Sequence, residues 1–195
     1  MFLDRDGTIN EDFGFVHRPE DLVLLPGALE ALATLKRAGF LLIVVTNQSG
    51  VARGHFSEAD VARFHAHMNA VLTAGGAAID AFYYCPYLPE AAVKAYRQAS
   101  TQRKPDIGMF HAACRDFPID VAASYMIGDR LSDVQFAARA RLRAILVRTG
   151  QGARDEAVMD ASEVTVVNDL AQAARRVLDR ALSRGRQAID GRPPE

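Results

Sequence analysis

The chain of 195 residues has no tryptophan and only two cysteines, Cys85 and Cys114. Two cysteines cannot form the disulfide framework of a small secreted domain, so we expect a reducing compartment and predict a cytoplasmic location. The sequence has neither an apolar run near the ~20 residues that span a bilayer nor a basic segment leading into an apolar one at its N-terminus. It therefore predicts a soluble, unexported protein with no membrane partner.

An excess of charge of one sign is also missing, because 23 basic residues are balanced by 24 acidic ones, for a formal net charge of -1. This balance gives no overall electrostatic surface for nucleic acid, so any anion binding must be local. Hydrophobic residues make up 49% of the chain, enough at this length to bury a core without stabilising disulfides or metal ions. We predict a monomer with one domain over residues 1–183 and a polar tail over residues 184–195.

Two carboxylates stand one residue apart near the N-terminus, where Met1-Phe2-Leu3 is followed by Asp4-Arg5-Asp6-Gly7-Thr8. We interpret the apolar run as a buried strand, shorter than the ~5 to 6 residues usual for one. Acids this close repel each other unless a metal ion, a cation or a proton intervenes. A lone Asp-x-Asp is equally typical of an Asx turn with solvated acids, so this pair alone does not identify a metal site.

Two further strands are predicted to end in polar loops. The apolar run Phe40 to Val45 is typical of a parallel strand buried on both faces and leads into Thr46-Asn47-Gln48-Ser49. The run Ala122 to Ile127 leads to Asp129, while Asp133 has the position of a first-turn residue favoured by the helix dipole. Ligands of open α/β sheets bind at the carboxyl ends of strands, so these groups are expected to face one site.

Helical periodicity alternates with the apolar runs, which predicts a three-layer, Rossmann-like α/β fold with a central parallel sheet. The further strands are predicted at Ala81 to Tyr84, Ala144 to Val147 and Val164 to Val167. The helices are predicted between Gly27 and Gly39, from a Ser57 cap to about Ala74, over Ile107 to Phe117, from Asp133 through Ala140 and over Asp169 to Leu182. Residues 50–54 are expected to continue a loop.

A long polar excursion over residues 85–106 closes with Arg103-Lys104-Pro105. Two cations at the end of a loop can neutralise an oxyanion, although a solvated basic pair is about as common. His17 is a candidate substrate contact, for which a plain surface position is the alternative.

Three other residues are interpreted as structural. His65 and His67 lie two apart and do not share a helical face, so we interpret them as packing or solvent-facing residues and not as a metal pair. Cys114 is predicted to be a small buried apolar residue of its helix.

Phosphoryl transfer to water through a carboxylate nucleophile needs a metal, a second acid, a lysine and a hydroxyl, and the chain has a candidate for each. The strings that carry them, in order, are Asp4-Arg5-Asp6-Gly7-Thr8, Thr46-Asn47, Lys104-Pro105 and Gly128-Asp129 with Asp133. In this order they resemble the four motifs of the haloacid dehalogenase (HAD) superfamily of phosphohydrolases. The resemblance implies a phosphatase fold without a large cap domain.

Within that superfamily, residues 2 to about 150 are similar to the D-glycero-D-manno-heptose-1,7-bisphosphate phosphatase group. This likeness implies removal of the 7-phosphate from a heptose bisphosphate, on the way to nucleotide-activated heptose for surface polysaccharide. Histidinol-phosphate phosphatases are similar in all four motifs and form the alternative, but the string from Thr46 to Gly54 favours the heptose group. A non-catalytic module that binds a sugar phosphate is the alternative of another class.

The resemblance implies roles for individual residues. Asp4 would be the nucleophile and Asp6 the general acid and base, with Mg²⁺ held by the Asp4 carboxylate, the Asp6 carbonyl and the Asp129 carboxylate. Thr46 and Lys104 would hold the transferring phosphoryl group. The substrate-binding residues that it implies are Asp12, Phe13, Gly14, Phe15, Thr46, Asn47, Gln48, Ser49, Arg103, Lys104 and Arg130.

The chain departs from the resemblance in the excursion, which family members tie with a zinc ion held by a Cys-x-His and a Cys-x-Cys pair. The corresponding residues here are Cys85, Tyr87, Ser100 and Gln102. Tyrosine, serine and glutamine cannot replace a histidine and two thiolates in a tetrahedral zinc site. We predict no zinc, and an excursion that is either looser or held by packing of Tyr87, Leu88, Val93 and Tyr96.

Overall fold

The computed structural model describes residues 1–159 and 164–189. Within them, six strands form one sheet in the order β3-β2-β1-β4-β5-β6. The strands are β1 Phe2–Leu3, β2 Ile43–Asn47, β3 Ala81–Cys85, β4 Tyr125–Gly128, β5 Arg143–Val147 and β6 Thr165–Val167. Every neighbouring pair is parallel, which confirms the predicted fold class.

Helices cover both faces of this sheet. They are α1 Ala28–Arg37, α2 Ser49–Arg53, α3 Glu58–Ala74, α4 Gly108–Asp116, α5 Leu131–Ala140, α6 Gly152–Glu156 and α7 Leu170–Ile189. Helix α3 begins at the predicted cap, where the Ser57 hydroxyl accepts the Asp60 N–H and the Asp60 carboxylate accepts the Ser57 N–H. This reciprocal pair satisfies two N–H groups that a helix start leaves free.

The central strands bury both of their faces, as successive side chains point to opposite sides. Leu3, Val44 and Ile127 lie in the core that includes side chains of α1, α3 and α7. Their neighbours Phe2 and Ile43 lie in a second core with side chains of α4 and α5. Burial of each large apolar side chain contributes about 1.5–3 kcal/mol, so the unbroken apolar runs account for the three layers.

Several predicted boundaries are corrected. Strand β4 begins at Tyr125 because Val121–Ala123 forms a 3-10 turn, whose Ala123 N–H donates to the Asp120 carboxylate. Strand β2 begins at Ile43 and runs on through Asn47, so that Thr46 and Asn47 belong to the strand and not to the loop. The predicted loop at 50–54 is mostly helix α2, and β3 extends to Cys85.

The C-terminal helix is longer than predicted. Helix α7 continues through Ile189, so the expected boundary at residue 183 falls inside it, and the last part of the predicted tail lies outside the described residues.

Cys114 is exposed on α4, because it faces away from the core that Met109 and Ala113 enter; its predicted burial is wrong. Among the helices of the described residues, none combines the length and the hydrophobicity that crossing a membrane requires.

Candidate active site

The ends of β1 and β4 bring two of the predicted acids together. Leu3 pairs with Ile127 in the parallel register, so Asp4 and Asp129 follow directly from the carboxyl ends of neighbouring strands. The Asp4 N–H donates to the Ile127 carbonyl at 2.9 Å and keeps Asp4 at the edge of the sheet. Both side chains are buried, so their charges interact in a medium that screens them weakly.

Lys104 is the cation of this cluster. Its Nζ lies 2.9 Å from Asp4 Oδ1 and 2.7 Å from Asp133 Oδ1, and the side chains of Lys104 and Asp133 are 1% and 2% exposed. Burial alone would lower the pKa of Lys104, but Asp133 and Asp4 outweigh it and raise the pKa above its ordinary value. The lysine is therefore a fixed positive charge beside Asp4.

The sequence interpretation of Asp133 was incomplete. Its carboxylate accepts the Arg130 N–H at 3.0 Å, as expected of a residue in the first turn of α5. The same carboxylate also pairs with Lys104, a contact that joins two residues far apart in the chain. The spacing of four residues between Asp129 and Asp133 was the sequence signal that Asp133 could belong to the site. Its contact with Lys104, however, is made only by the fold.

Glycines allow the close approach of these side chains. A Cβ on Gly128 would lie 2.1 Å from Asp133 Oδ2, and one on Gly7 would lie 2.4 Å from Asp129 Oδ2. Gly7 also has φ +78°, a left-handed backbone that favours glycine. The glycines of both motifs are therefore needed for space beside the carboxylates.

The residues present fit a divalent cation. Carboxylate oxygens of Asp4, Asp129 and Asp133 lie within 4.8 Å of one another, and Asp129 Oδ1 is buried without a hydrogen-bond partner in the described part of the chain. Burial, followed by the nearby Asp4 carboxylate, raises the pKa of Asp129 to about 8. Clustered carboxylates with a free oxygen are the ligands that Mg²⁺ takes in proteins, so a cation here would relieve their repulsion.

Asp6 lies beside this cluster and is held from three sides. The Arg5 guanidinium donates through Nε to Asp6 Oδ1 at 2.9 Å and through Nη2 to Oδ2 at 2.7 Å. The amide of Asn10 donates to Oδ1, and that of Gln48 donates to Oδ2, both at 3.0 Å. Four donors on one carboxylate fix its orientation, and sequence reasoning assigned no role to Arg5 or Asn10.

The two residues at the end of β2 have different surroundings. Thr46 is buried, and its hydroxyl accepts the Gln48 amide at 3.0 Å. The Asn47 side chain accepts the Lys104 N–H at 3.0 Å and donates to the Lys104 carbonyl at 3.1 Å. Asn47 therefore clasps the backbone of the lysine, a positioning contact that its predicted substrate-binding role did not include.

These groups line an open cavity of about 520 Å³. Its walls are Asp4, Asp6, Asp12, Gly14, Phe15, Thr46, Asn47, Gln48, Ser49, Gly50, Arg103, Lys104, Asp129, Arg130 and Ser132. Of the predicted substrate-binding set only Phe13 lies outside, because its ring points into solvent and is 68% exposed. Gly50 and Ser132 were missed, since neither follows a strand directly.

The cavity wall carries two arginines. Arg130 is half exposed, with its Nε 3.7 Å from an Asp155 carboxylate oxygen. Arg103 is half buried, and its Nη1 donates to the Tyr87 carbonyl at 3.4 Å. His17 does not line the cavity, because it stacks on Phe56 with ring centroids 4.6 Å apart.

The predicted histidine environments differ from each other. His65 is buried against Phe82 at a centroid distance of 4.6 Å, and His67 is exposed, so each of the two interpretations holds for one of them. Among the four positions that correspond to zinc ligands in family members, Cys85 is buried, and burial raises the pKa of its thiol. One thiol among Tyr, Ser and Gln does not fit a zinc ion, and the absence of zinc stays a prediction.

Comparison with known proteins identifies the class to which this geometry belongs. A family model described as HAD-hydrolase-like matches residues 101–173, which include Lys104, Asp129 and Asp133. With the parallel sheet and the carboxylates at its edge, the match defines a phosphohydrolase of the HAD type. The chain is thus an enzyme that acts on phosphate esters, and the predicted class is confirmed.

Relatives give the particular family. The D-glycero-beta-D-manno-heptose-1,7-bisphosphate 7-phosphatase of Escherichia coli O6:H1 is 44% identical over 178 residues, covering 90% of this chain and 94% of that protein. The enzyme of the same name from Photorhabdus laumondii is 42% identical, covering 91% and 94%. The solved D,D-heptose 1,7-bisphosphate phosphatase of B. bronchiseptica, complexed with magnesium and phosphate, has a TM-score of 0.83 at 36% identity and covers 92% of this chain and 98% of that one. The chain belongs to the D-glycero-beta-D-manno-heptose-1,7-bisphosphate 7-phosphatase family.

Proposed function

We propose that this enzyme removes the 7-phosphate of D-glycero-beta-D-manno-heptose 1,7-bisphosphate through an aspartyl-phosphate on Asp4. The observation that carries the mechanism is the buried Lys104, which lies 2.9 Å from Asp4 and lines the same cavity. A fixed cation beside a carboxylate provides both the nucleophile and a counter-charge for the phosphoryl oxygens. The relatives' named activity supports the choice of substrate.

In the first step, an Asp4 carboxylate oxygen attacks phosphorus and forms a P–O bond while the bond from phosphorus to the C7 oxygen breaks. The leaving sugar oxygen takes a proton from Asp6. In the second step, water attacks the phosphorus of the aspartyl-phosphate and gives its proton back to Asp6. Inorganic phosphate leaves, and the Asp4 carboxylate is restored.

Asp6 suits this double role because it lines the same cavity as Asp4. Two donors on each oxygen hold the carboxylate in place for the two proton transfers. The acid form of the first step carries a proton on one oxygen. We propose Oδ2 for that proton, because a rotated Gln48 amide can accept a hydrogen bond where it now donates one.

Thr46 and Lys104 would bind the equatorial oxygens of the transferring group. The carboxylates of Asp4 and Asp129 and the Asp6 carbonyl would hold Mg²⁺. Lys104 and the Arg130 N–H engage both oxygens of Asp133, whereas the contacts of Asp4 with Lys104 and with the Arg5 N–H use only its Oδ1. When bound, Mg²⁺ offsets the repulsion between the Asp4 carboxylate and the phosphate dianion.

Substrate selection would depend on the short loops around the cavity. Asp12, Gly14 and Phe15 from one side, with Arg103 and Arg130 from the other, suit a polar sugar that carries a second anionic group. Histidinol phosphate has one phosphate and a cationic amine, so these two arginines favour a bisphosphate over it.

The test is phosphate release from a panel at equal concentration with Mg²⁺. It compares the heptose bisphosphate, histidinol phosphate and small phosphomonoesters, and ³¹P NMR identifies which phosphate is lost. We expect the 7-phosphate to leave and the 1-phosphate to remain. Turnover of histidinol phosphate equal to or better than that of the heptose bisphosphate would reject the proposed substrate.

Asp4→Asn tests the mechanism, because an amide is not a nucleophile toward phosphorus. We expect a loss of at least about a thousandfold in kcat, with folding retained. Asp116→Asn, an exposed carboxylate on α4, is the matched control and should keep wild-type turnover. Undiminished Mg²⁺-dependent phosphate release by Asp4→Asn would contradict the aspartyl-phosphate.

A further inference from the structure

Arg103 and Lys104 are adjacent in the chain but are held in the cavity by different parts of the protein. Asn47 clasps the Lys104 backbone, and two carboxylates hold its Nζ. Arg103 has no carboxylate within ion-pair distance in the described ranges, and burial lowers the pKa of its guanidinium. Its guanidinium donates through Nη1 to the Tyr87 carbonyl at 3.4 Å. A half-buried cation of this kind can receive an anionic group of a ligand.

The segment that carries the Tyr87 carbonyl, residues 84–96, begins and ends with a tyrosine. Tyr84 lies on β3, three residues before Tyr87. Tyr96 lies in the 3-10 turn Lys94–Tyr96, and its carbonyl accepts the Leu88 N–H at 3.1 Å. The rings of Tyr87 and Tyr96 are also neighbours, with centroids 6.0 Å apart.

Both tyrosines donate to a single carboxylate. The Tyr84 hydroxyl lies 2.8 Å from Glu58 Oε2, and the Tyr96 hydroxyl lies 2.9 Å from Glu58 Oε1. Burial and then Glu58 raise the pKa of Tyr84, whereas the bond to Glu58 is the main cause that raises the pKa of Tyr96. Both hydroxyls therefore stay protonated and act as donors.

Glu58 is a rigid anchor for these donors. It is the first residue of α3, where the helix dipole favours a carboxylate. The helix is fixed to the core through Phe64, Met68 and Leu72, all of them fully buried. Hydrogen bonds to an ionised group are stronger than neutral ones, so the two tyrosines transmit the position of α3 to the segment around Tyr87.

We propose that Glu58, Tyr84 and Tyr96 form a tyrosine latch that positions Arg103 for recognition of the second phosphate of the substrate. The latch acts on Arg103 and not on Lys104, which is held independently. The inference rests on the proposed function for the identity of the anion. The role of the latch in the position of Arg103 can be tested separately.

The kinetic test uses the double variant Tyr84→Phe/Tyr96→Phe, which keeps both rings and removes both hydroxyls. KM for the heptose bisphosphate should rise about tenfold, with kcat within about twofold of wild type. Turnover of p-nitrophenyl phosphate, which has a single phosphate, should not change. Tyr83→Phe is the matched control, because the Tyr83 hydroxyl makes a 2.5 Å bond to the exposed Asp116 and does not line the cavity.

Two further measurements separate positioning from simple stability. In an Arg103→Met background the double tyrosine variant should cause no additional rise in KM, because the residue on which it acts is gone. Glu58→Gln keeps one acceptor oxygen and should give an intermediate KM. Equal effects of the control and the double variant, parallel losses for both substrates, or additive effects with Arg103→Met would overturn the latch.

Hydrogen exchange distinguishes failure of the latch from failure of the proposed function. In the double tyrosine variant the Leu88 N–H should exchange faster, while the Lys104 N–H should keep its protection. Unchanged exchange at Leu88 would reject the latch whatever the substrate is. A wild-type enzyme without preference for the heptose bisphosphate, together with faster exchange at Leu88, would reject the substrate and leave the positioning of Arg103 by the latch supported.

Discussion

Replacement of the buried His65 by glutamine should remove a specific part of the acid sensitivity of this fold. His65 Nε2 lies 3.2 Å from Nη1 of Arg5, a permanent cation, so the imidazole must be neutral to accept that hydrogen bond. Burial, and then the Arg5 charge, lower the pKa of His65 from its ordinary value of 6.5 to about 3. A glutamine carbonyl can accept the same bond and does not titrate.

The sign and size follow from proton linkage. Below pH 6.5 the unfolded chain protonates this histidine and the folded chain does not, so stability falls as the pH falls. The slope approaches about 1.4 kcal/mol per pH unit, and between pH 7 and pH 4.5 the loss is about 2.5 kcal/mol. For a domain of this size that corresponds to about 5–10 °C in Tm.

The assay is urea unfolding at several pH values between 7 and 4.5 for wild type, His65→Gln and His67→Gln. Other groups titrate in this range, so the difference between variants is the measured quantity. His65→Gln should lose about 2.5 kcal/mol less than wild type over the interval. His67→Gln, on the same helix but exposed, should follow the wild-type curve. Identical pH dependence of wild type and His65→Gln would refute a buried neutral histidine.

Two further predictions concern the carboxylate cluster. Gly128→Ala should reduce stability by about 2 kcal/mol or more and abolish turnover, because the new Cβ would lie 2.1 Å from Asp133. Gly39→Ala is the control, since a Cβ there meets nothing within 4 Å. It should reduce stability by only about 1–2 kcal/mol, because of the positive φ of Gly39, and keep activity. Mg²⁺ at a hundred times its Kd should raise stability by about 2.7 kcal/mol, measured as a shift in Tm, and Asp129→Asn should lose the shift while Asp116→Asn keeps it. A Tm shift retained in Asp129→Asn would place the cation elsewhere.

Local chemistry accounts for what could be predicted correctly. The apolar runs that became β2 and β4 must bury both faces, and the Ser57 cap satisfies its own helix, so these elements could be identified without the fold. Their boundaries moved where local contacts compete with a strand, as in the 3-10 turn at Val121–Ala123. The prediction that Cys114 is buried was wrong, because which face of a helix is buried depends on the elements packed against it and not on residue type.

The sequence by itself determined the fold class and, through its resemblance to a known family, the class of chemistry. It also indicated most residues at the edge of the sheet, because a parallel strand delivers the residues that follow it to one edge. Only the tertiary structure decided how these residues act on one another. The pairing of Lys104 with Asp133, the clasp of Asn47 on Lys104 and the latch of Glu58 on two tyrosines join residues 26 to 57 positions apart. Such contacts depend on packing in three dimensions, for which spacing along the chain has no signal.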